Sequence, residues 1–167
     1  MLFLKMLSSL SFNKLLLLGL LIVTGNAFAQ QDAAINKLID TKVARAKSMV
    51  YSDARLSGKI ADTVISLSML HNKPISEATG WNIKGVIMSF VGNPDSAIFY
   101  FLNTEKIGRR INDKLTLAKA LQNKNLPLST LGRYDQAMQA CEAVADHGLP
   151  LLHGASGVAA GVGGLAG

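Results

Sequence analysis

The chain has 167 residues, a formal net charge of +6 and a single cysteine. One cysteine excludes an intrachain disulfide, and an aromatic content of 6% with mild positive charge argues against a nucleic-acid partner, whose bases would stack on aromatic side chains. The length provides one domain with its own core.

The N-terminus has the order of a bacterial secretory signal: a basic start, an apolar core and a small-x-small cleavage site. Its elements are Lys5 and Lys14, the apolar run 15–23, and Ala27 and Ala29. We expect residues 1–29 to be removed by cleavage after Ala29, which places the protein in the periplasm or outside the cell. The alternative is an uncleaved anchor, but a spanning helix needs about 20 apolar residues.

Residues 31–71 carry an apolar stripe at helical spacing. Ile39, Val43, Ala46 and Val50 follow a four-three-four pattern, and the stripe resumes after residue 56. The pattern predicts one long helix with a weak point, or two helices joined near residues 51–57. Pro74 ends this unit because proline disfavours helix at the residue before it.

Two strongly apolar stretches follow, at residues 76–91 and 97–102, separated by the turn 92–95. Asn93 or Asp95 is predicted to cap the second of them, and six apolar residues in succession indicate burial on most sides. Both stretches are predicted as helices. The alternative is a mixed fold in which 83–91 and 97–102 are strands.

Beyond Gly108, a basic amphipathic helix is predicted, followed by a loop at 123–127 and a last helix that begins at Ser129 or Thr130. The apolar face of the first of these helices is expected to carry Ile111, Leu115, Ala118 and Leu121. Gly148 and Pro150 are predicted to end the last one. Residues 30–148 therefore read as an all-α domain, a helical bundle of about four to six helices.

Basic residues are concentrated in the second half of the chain. The predicted basic face comprises Lys106, Arg109, Arg110 and Lys114, with Lys119 and Lys124 nearby. Such a face could contact anionic lipid or an acidic partner. A solvated helix face is the interpretation that we favour.

The C-terminal tail, residues 149–167, is rich in glycine and alanine and has no charged side chain. Its small residues recur four apart, as in membrane helices that approach closely: Gly157 and Gly161, and Gly163 and Gly167. The tail is either disordered or loosely packed, because glycine costs helix stability in water, or it contacts a membrane or a partner. The sequence does not set an oligomeric state.

No motif indicates an active site, a metal or a cofactor. Cys141, His147 and His153 are six residues apart, whereas a helix repeats every 3.6 residues and structural zinc sites need four ligands at closer spacing. Cys141 is expected either to be buried within a helix, which is the more common fate, or to pair with another chain.

Three functions are therefore considered. The first is a non-enzymatic envelope protein that acts through protein–protein contacts, as an accessory component of an envelope or secretion assembly. The second is a secreted membrane-active protein that inserts or oligomerises through its tail. The third is a small periplasmic hydrolase with an unrecognised site. The absence of a catalytic motif favours the first.

Overall fold

The computed structural model describes the backbone of residues 12–146 and the side chains of residues 29–145, and this part of the chain is helical with short turns. The helices are α1 (Phe12–Met49), α2 (Ala54–Leu70), α3 (Pro74–Phe90), α4 (Pro94–Arg110), α5 (Lys114–Thr130) and α6 (Tyr134–Asp146). The predicted all-α bundle of four to six helices is confirmed for these residues. The strand interpretation of 83–91 and 97–102 is wrong.

Two predictions concern the ends of the chain, the cleavable signal and the glycine-rich tail, and both remain predictions. Residues 1–11 of the predicted signal and the whole tail, with Gly157, Gly161, Gly163 and Gly167, lie outside the described residues. Helix α1 runs through Ala27 and Ala29, and cleavage after Ala29 stays a prediction. Where side chains are described, no helix has the length and apolarity needed to cross a membrane.

The chain divides into two units, residues 1–38 and 39–167. The described part of the first unit is the N-terminal portion of α1. The second unit contains the rest of α1 and helices α2 to α6, and the buried core of the described residues begins at Ile39.

The second unit is built on a regular step that the apolar pattern of the sequence did not predict. Helices α2 to α5 have 17 residues each. Helices α2 to α6 begin at positions 54, 74, 94, 114 and 134, which are evenly spaced. This interval is called here the 20-residue step. From α2 onward, three turn residues join each helix to the next, which makes neighbouring helices antiparallel.

The turns repeat at the same step. Their middle residues have left-handed backbone conformations: Asn72 (φ 51°), Gly92 (φ 78°), Asn112 (φ 53°) and Gly132 (φ 70°). The next residue donates its N–H to a carbonyl five residues back, at 2.8 Å for Lys73 to Ser68 and 2.9 Å for Asp113 to Gly108. This is the Schellman helix ending, which needs a residue that tolerates positive φ. Glycine and asparagine supply it here.

Side-chain caps start several helices. Asn93 accepts from the Ser96 N–H at 3.1 Å and precedes Pro94 in the first turn of α4, as predicted. Asp53 and Asp113 cap α2 and α5 in the same way, each at 2.9 Å. The Thr116 hydrogen bonds to the Asp113 carboxylate lower its pKa below the ordinary value.

Glycines allow neighbouring helices to approach closely. A Cβ at Gly80 would lie 2.6 Å from Ile65 Cγ1 of α2, and one at Gly108 would lie 2.9 Å from the backbone nitrogen of Leu117 in α5. At Gly85 it would overlap the ring of Phe101 in α4. These residues weaken a helix prediction, yet they are helical here because tertiary packing compensates.

Each of α3 to α6 packs against the helix before it, and α3 also contacts α5. Because successive helices alternate in direction, α3 and α5 run parallel. Two steps make one helical hairpin, whose length falls at the lower end of the two- or three-helix repeats of α-solenoids, about 40–47 residues. The helices of the second unit thus form a series of hairpins.

Two sequence predictions on boundaries are wrong. Residues 123–127 are not a loop but lie inside α5, which continues to Thr130. Ser129 and Thr130 therefore end a helix, and the last described helix begins at Tyr134. Pro127 removes one backbone hydrogen bond within α5, and burial of Pro127 and Leu128 offsets that loss. The predicted helix end at Gly148 and Pro150 lies outside the described residues.

Several predicted core positions are also wrong. Ile111 lies in a turn and Leu115 is exposed, while Ala118 and Leu121 are buried as expected. In the apolar run 97–102, Ala97 and Phe101 are buried but Phe99 and Leu102 are exposed. Helix α4 has neighbours on only part of its circumference, so an apolar run cannot be buried on every side. Cys141 is exposed, not buried.

Candidate functional site

Helices α3 and α5 share a partly exposed face, called here the odd-helix face. Its residues lie on one side of each helix at spacings of three and four. Each residue on α3 has a counterpart on α5 two 20-residue steps later, except that the counterpart of Asn82 is Asn123, one residue further along. On α3 they are Ile75, Thr79, Asn82, Val86 and Phe90, and on α5 they are Leu115, Lys119, Asn123, Leu126 and Thr130.

Large apolar side chains dominate both ends of the odd-helix face. Ile75, Phe90, Leu115 and Leu126 are between 49% and 60% exposed. Ile75 and Leu115 are each the second residue of their helix, so the parallel arrangement puts them at the same level. Clustered apolar side chains on two adjacent helices are typical of a contact surface, because such groups gain by leaving water.

A pair of amides lies at the centre of the odd-helix face and joins its two helices. Asn123 Nδ2 donates to Asn82 Oδ1 at 2.8 Å. This bond leaves the Nδ2 donor of Asn82 and the Oδ1 acceptor of Asn123, for which no partner is found among the described side chains. One free donor and one free acceptor match the backbone C=O and N–H of a single residue in an extended chain, since these two groups lie on the same side of the strand.

Charge is sparse on the odd-helix face. Among its ten residues only Lys119 has a formally charged side chain. Its positive charge also helps to lower the pKa of Asp113, after the larger effect of the Thr116 hydrogen bonds. A ligand for this face would therefore be largely apolar, with neutral or acidic groups near Lys119.

Two lysine–carboxylate pairs hold other parts of these helices together. Lys84 of α3 bonds Asp62 of α2 and lies 4.9 Å from the ring centre of Tyr100, which stacks on Trp81. Two steps later, Lys124 of α5 bonds Glu105 of α4 at 2.5 Å. Each pair connects a helix to the one before it. The first lies beside aromatic rings and the second is largely buried.

The pKa values of these groups follow from their partners. Burial disfavours charged Lys84, but the hydrogen bond and charge of Asp62, aided by Tyr100, raise its pKa above the ordinary value. Burial likewise disfavours charged Glu105, but Lys124 and Arg109 outweigh it and lower its pKa. Both groups are therefore ionised at neutral pH and unsuited to donating or accepting a proton there.

The residues of the predicted basic face lie on α4 and at the start of α5. Lys106, Arg109 and Arg110 are exposed on α4, and Lys114 is exposed at the start of α5. Arg109 pairs with Glu105 at 2.8 Å and Arg110 with Glu77 at 3.6 Å. Two of the four charges are thus partly neutralised. A shallow cleft of about 230 Å³ connects Arg109 to Lys114, with Asp113 in its wall.

Cys141 is exposed on α6. It accepts a hydrogen bond from Asn125 Nδ2 at 2.8 Å. Within the residues whose side chains are described, no three metal-binding side chains come together. His147 and His153, the other two metal-capable residues near Cys141 in the sequence, lie outside this part of the chain.

Similarity to known proteins gives no information on this site. No protein-family model, no curated protein and no solved structure matches the chain. The odd-helix face itself was not anticipated. The regular spacing of four turn residues could have predicted it, because this spacing aligns α3 with α5. These residues are Asn72, Gly92, Asn112 and Gly132.

Proposed function

We propose that this protein is a non-enzymatic helical-repeat domain of the bacterial envelope that binds a segment of a partner protein on its odd-helix face. The observation that carries the proposal is the combination on that face of exposed apolar side chains at both ends with an amide pair between them.

The ligand that fits this face is an extended polypeptide segment with apolar side chains. Its side chains would cover Ile75 and Leu115 at one end, and Phe90 and Leu126 at the other. The free groups of Asn82 and Asn123 would bond the backbone C=O and N–H of one of its residues, which fixes the segment in place without reading its sequence. Lys119 favours a segment that is neutral or acidic.

The location in the envelope rests on the signal-like order of residues 1–29. An exported domain that binds a partner segment is suited to an accessory role in an envelope or secretion assembly. A protein partner is thus part of the proposal, and no cofactor is required.

Site-specific crosslinking in cells tests the proposal. A photoreactive phenylalanine analogue is placed at Phe90 or Leu126, and at Thr63 of α2 as an exposed control outside the face. We expect positions 90 and 126 to crosslink to the same segment of one envelope protein. Crosslinks from position 63 alone, or to unrelated proteins, contradict the proposal.

Affinity measurements with the crosslinked segment as a synthetic peptide complete the test. Leu126→Asp should weaken binding by tenfold or more, because it puts a charge among apolar contacts. Leu102→Asp is the matched control, since Leu102 is similarly exposed on α4, outside the face. Equal affinities of the two variants would contradict binding at this face.

A further inference from the structure

The last described helix leaves an apolar stripe uncovered. One side of α6 is buried through Ala140 and Val144, which pack against Leu117, Ala118 and Leu121 of α5. On another side are exposed residues at four-three-four spacing, called here the terminal stripe: Tyr134, Met138, Cys141 and Ala145. Tyr134 is 64% exposed and Met138 58%.

The 20-residue step allows the residues of the terminal stripe to be compared with the equivalent residues of an earlier helix. Two steps earlier, on α4, the counterparts of Met138, Cys141 and Ala145 are Ile98, Phe101 and Glu105. Ile98 is half-buried, and Phe101 is 1% exposed and packs against Gly85 of α3, the helix before it. Glu105 is bonded to Lys124 of α5, the helix that follows α4. On α6 the same positions are exposed, and no later helix belongs to the described residues.

The remaining chain has the length and composition to cover the terminal stripe. Residues 147–167 follow α6 directly and are slightly longer than one full step. From Leu149 onward they carry no charged side chain and are rich in small residues. Small residues are what this domain uses for close helix contacts at Gly80, Gly85 and Gly108.

We propose that residues 147–167 of the same chain dock on the terminal stripe and cap the C-terminal end of the helical series. Repeat domains need such a cap, because a terminal repeat otherwise exposes the surface that stacks on its neighbours. A tethered segment also has an effective concentration in the millimolar range for a short linker. The chain's own tail therefore outcompetes a second copy at ordinary protein concentrations.

Cys141 provides the readout, because it lies in the terminal stripe and is the only cysteine of the chain. The protein purified after expression of the full-length gene is reacted with a maleimide dye in the absence of lipid. We expect slow labelling of the unaltered protein. Met138→Glu should accelerate labelling about tenfold, since a buried carboxylate would expel the tail.

Two further variants separate docking from local damage. Gln139→Glu adds the same charge to an exposed position of α6 outside the stripe and should leave the rate unchanged. Val158→Glu changes only the tail and should accelerate labelling as Met138→Glu does, with an unchanged far-ultraviolet circular dichroism spectrum.

Three outcomes would overturn the proposal. Equally rapid labelling of all four proteins would mean that nothing covers the stripe. Protection that disappears on dilution would assign the stripe to a second copy. Protection that appears only after adding liposomes would assign the tail to a bilayer.

Discussion

Individual polar residues in this domain connect helices that are far apart in sequence. Lys84 and Lys124 occupy the same position of the step, and each pairs with a carboxylate of the preceding helix, 22 and 19 residues away. The sequence placed Lys124 beside the basic face, but its side chain is only 13% exposed. These pairs could not be predicted from the sequence, because their spacing depends on the 20-residue step, which the apolar pattern does not show.

The Glu105 carboxylate is expected to stabilise the fold in a pH-dependent manner. Its folded-state pKa is lowered, so its contribution is present at neutral pH and declines as the pH falls below the ordinary value of 4.5 toward the folded value. Glu105→Gln should reduce the free energy of unfolding at pH 7 by about 1–3 kcal/mol, the magnitude of a hydrogen bond to a charged group. Urea unfolding monitored by circular dichroism measures the difference.

Below the folded-state pKa, unaltered protein and Glu105→Gln should converge in stability because both side chains are then neutral. Glu142→Gln is the control, since Glu142 is exposed on α6 and should change stability little at either pH. A constant difference between Glu105→Gln and the unaltered protein across the pH range would refute the assigned role.

At the scale of elements, the sequence identified most helices and the turns that begin with strong signals. Pro74 and the Asn93–Pro94 pair marked two boundaries correctly, because proline fits the first turn of a helix and asparagine caps it. The same rule failed at Pro127, where a loop was predicted, because packing keeps the residues around it helical. Interior glycines also made the helices harder to predict. Gly85 lowers helix propensity, but the absence of a side chain there makes room for Phe101.

Gly85→Ala and Gly58→Ala should have opposite effects on stability. Both replace a helical glycine, which alone favours the fold by about 0.5–1 kcal/mol. At Gly85 the added methyl would overlap the Phe101 ring, so we expect a net loss of about 1–3 kcal/mol, as for other overpacked cores. At Gly58 the nearest atom is Ile87 Cδ1 at 4.0 Å, so we expect a gain.

Midpoints of urea unfolding, compared at constant slope, measure both effects. A stabilising Gly85→Ala would show that α3 and α4 can separate without loss, which contradicts their close packing.

At the scale of the whole second unit, the all-α class was predictable from helical periodicity, whereas the arrangement was not. Apolar stripes report that a helix is buried on one side, but not which helix covers it. The order of contacts follows from turn geometry at Asn72, Gly92, Asn112 and Gly132. Since each helix packs mainly on its neighbours, stability should be distributed locally along the series.

Hydrogen exchange measured by mass spectrometry tests this locality. Val144→Ala removes buried contacts between α6 and α5 and should accelerate exchange in α6 and α5 while leaving α2 unchanged. Ile83→Ala, in the cluster of Ala46, Ala61 and Ile87, should accelerate exchange in α2 and α3 and spare α6. Uniform acceleration throughout the domain in both variants would instead indicate a single cooperative unit.

The 20-residue step also governs how such a chain can lengthen or shorten during evolution. Each of the 17-residue helices α2 to α5 is about 25 Å long at the usual rise of an α-helix, and each turn reverses the direction of the chain. Losing or duplicating a single step would invert every later helix and move side chains from the odd-helix face to the opposite one. Losing or duplicating two steps preserves direction and face together. Ile75 with Leu115, and Lys84 with Lys124, recur at that longer interval, so inherited length variation should come in pairs of helices.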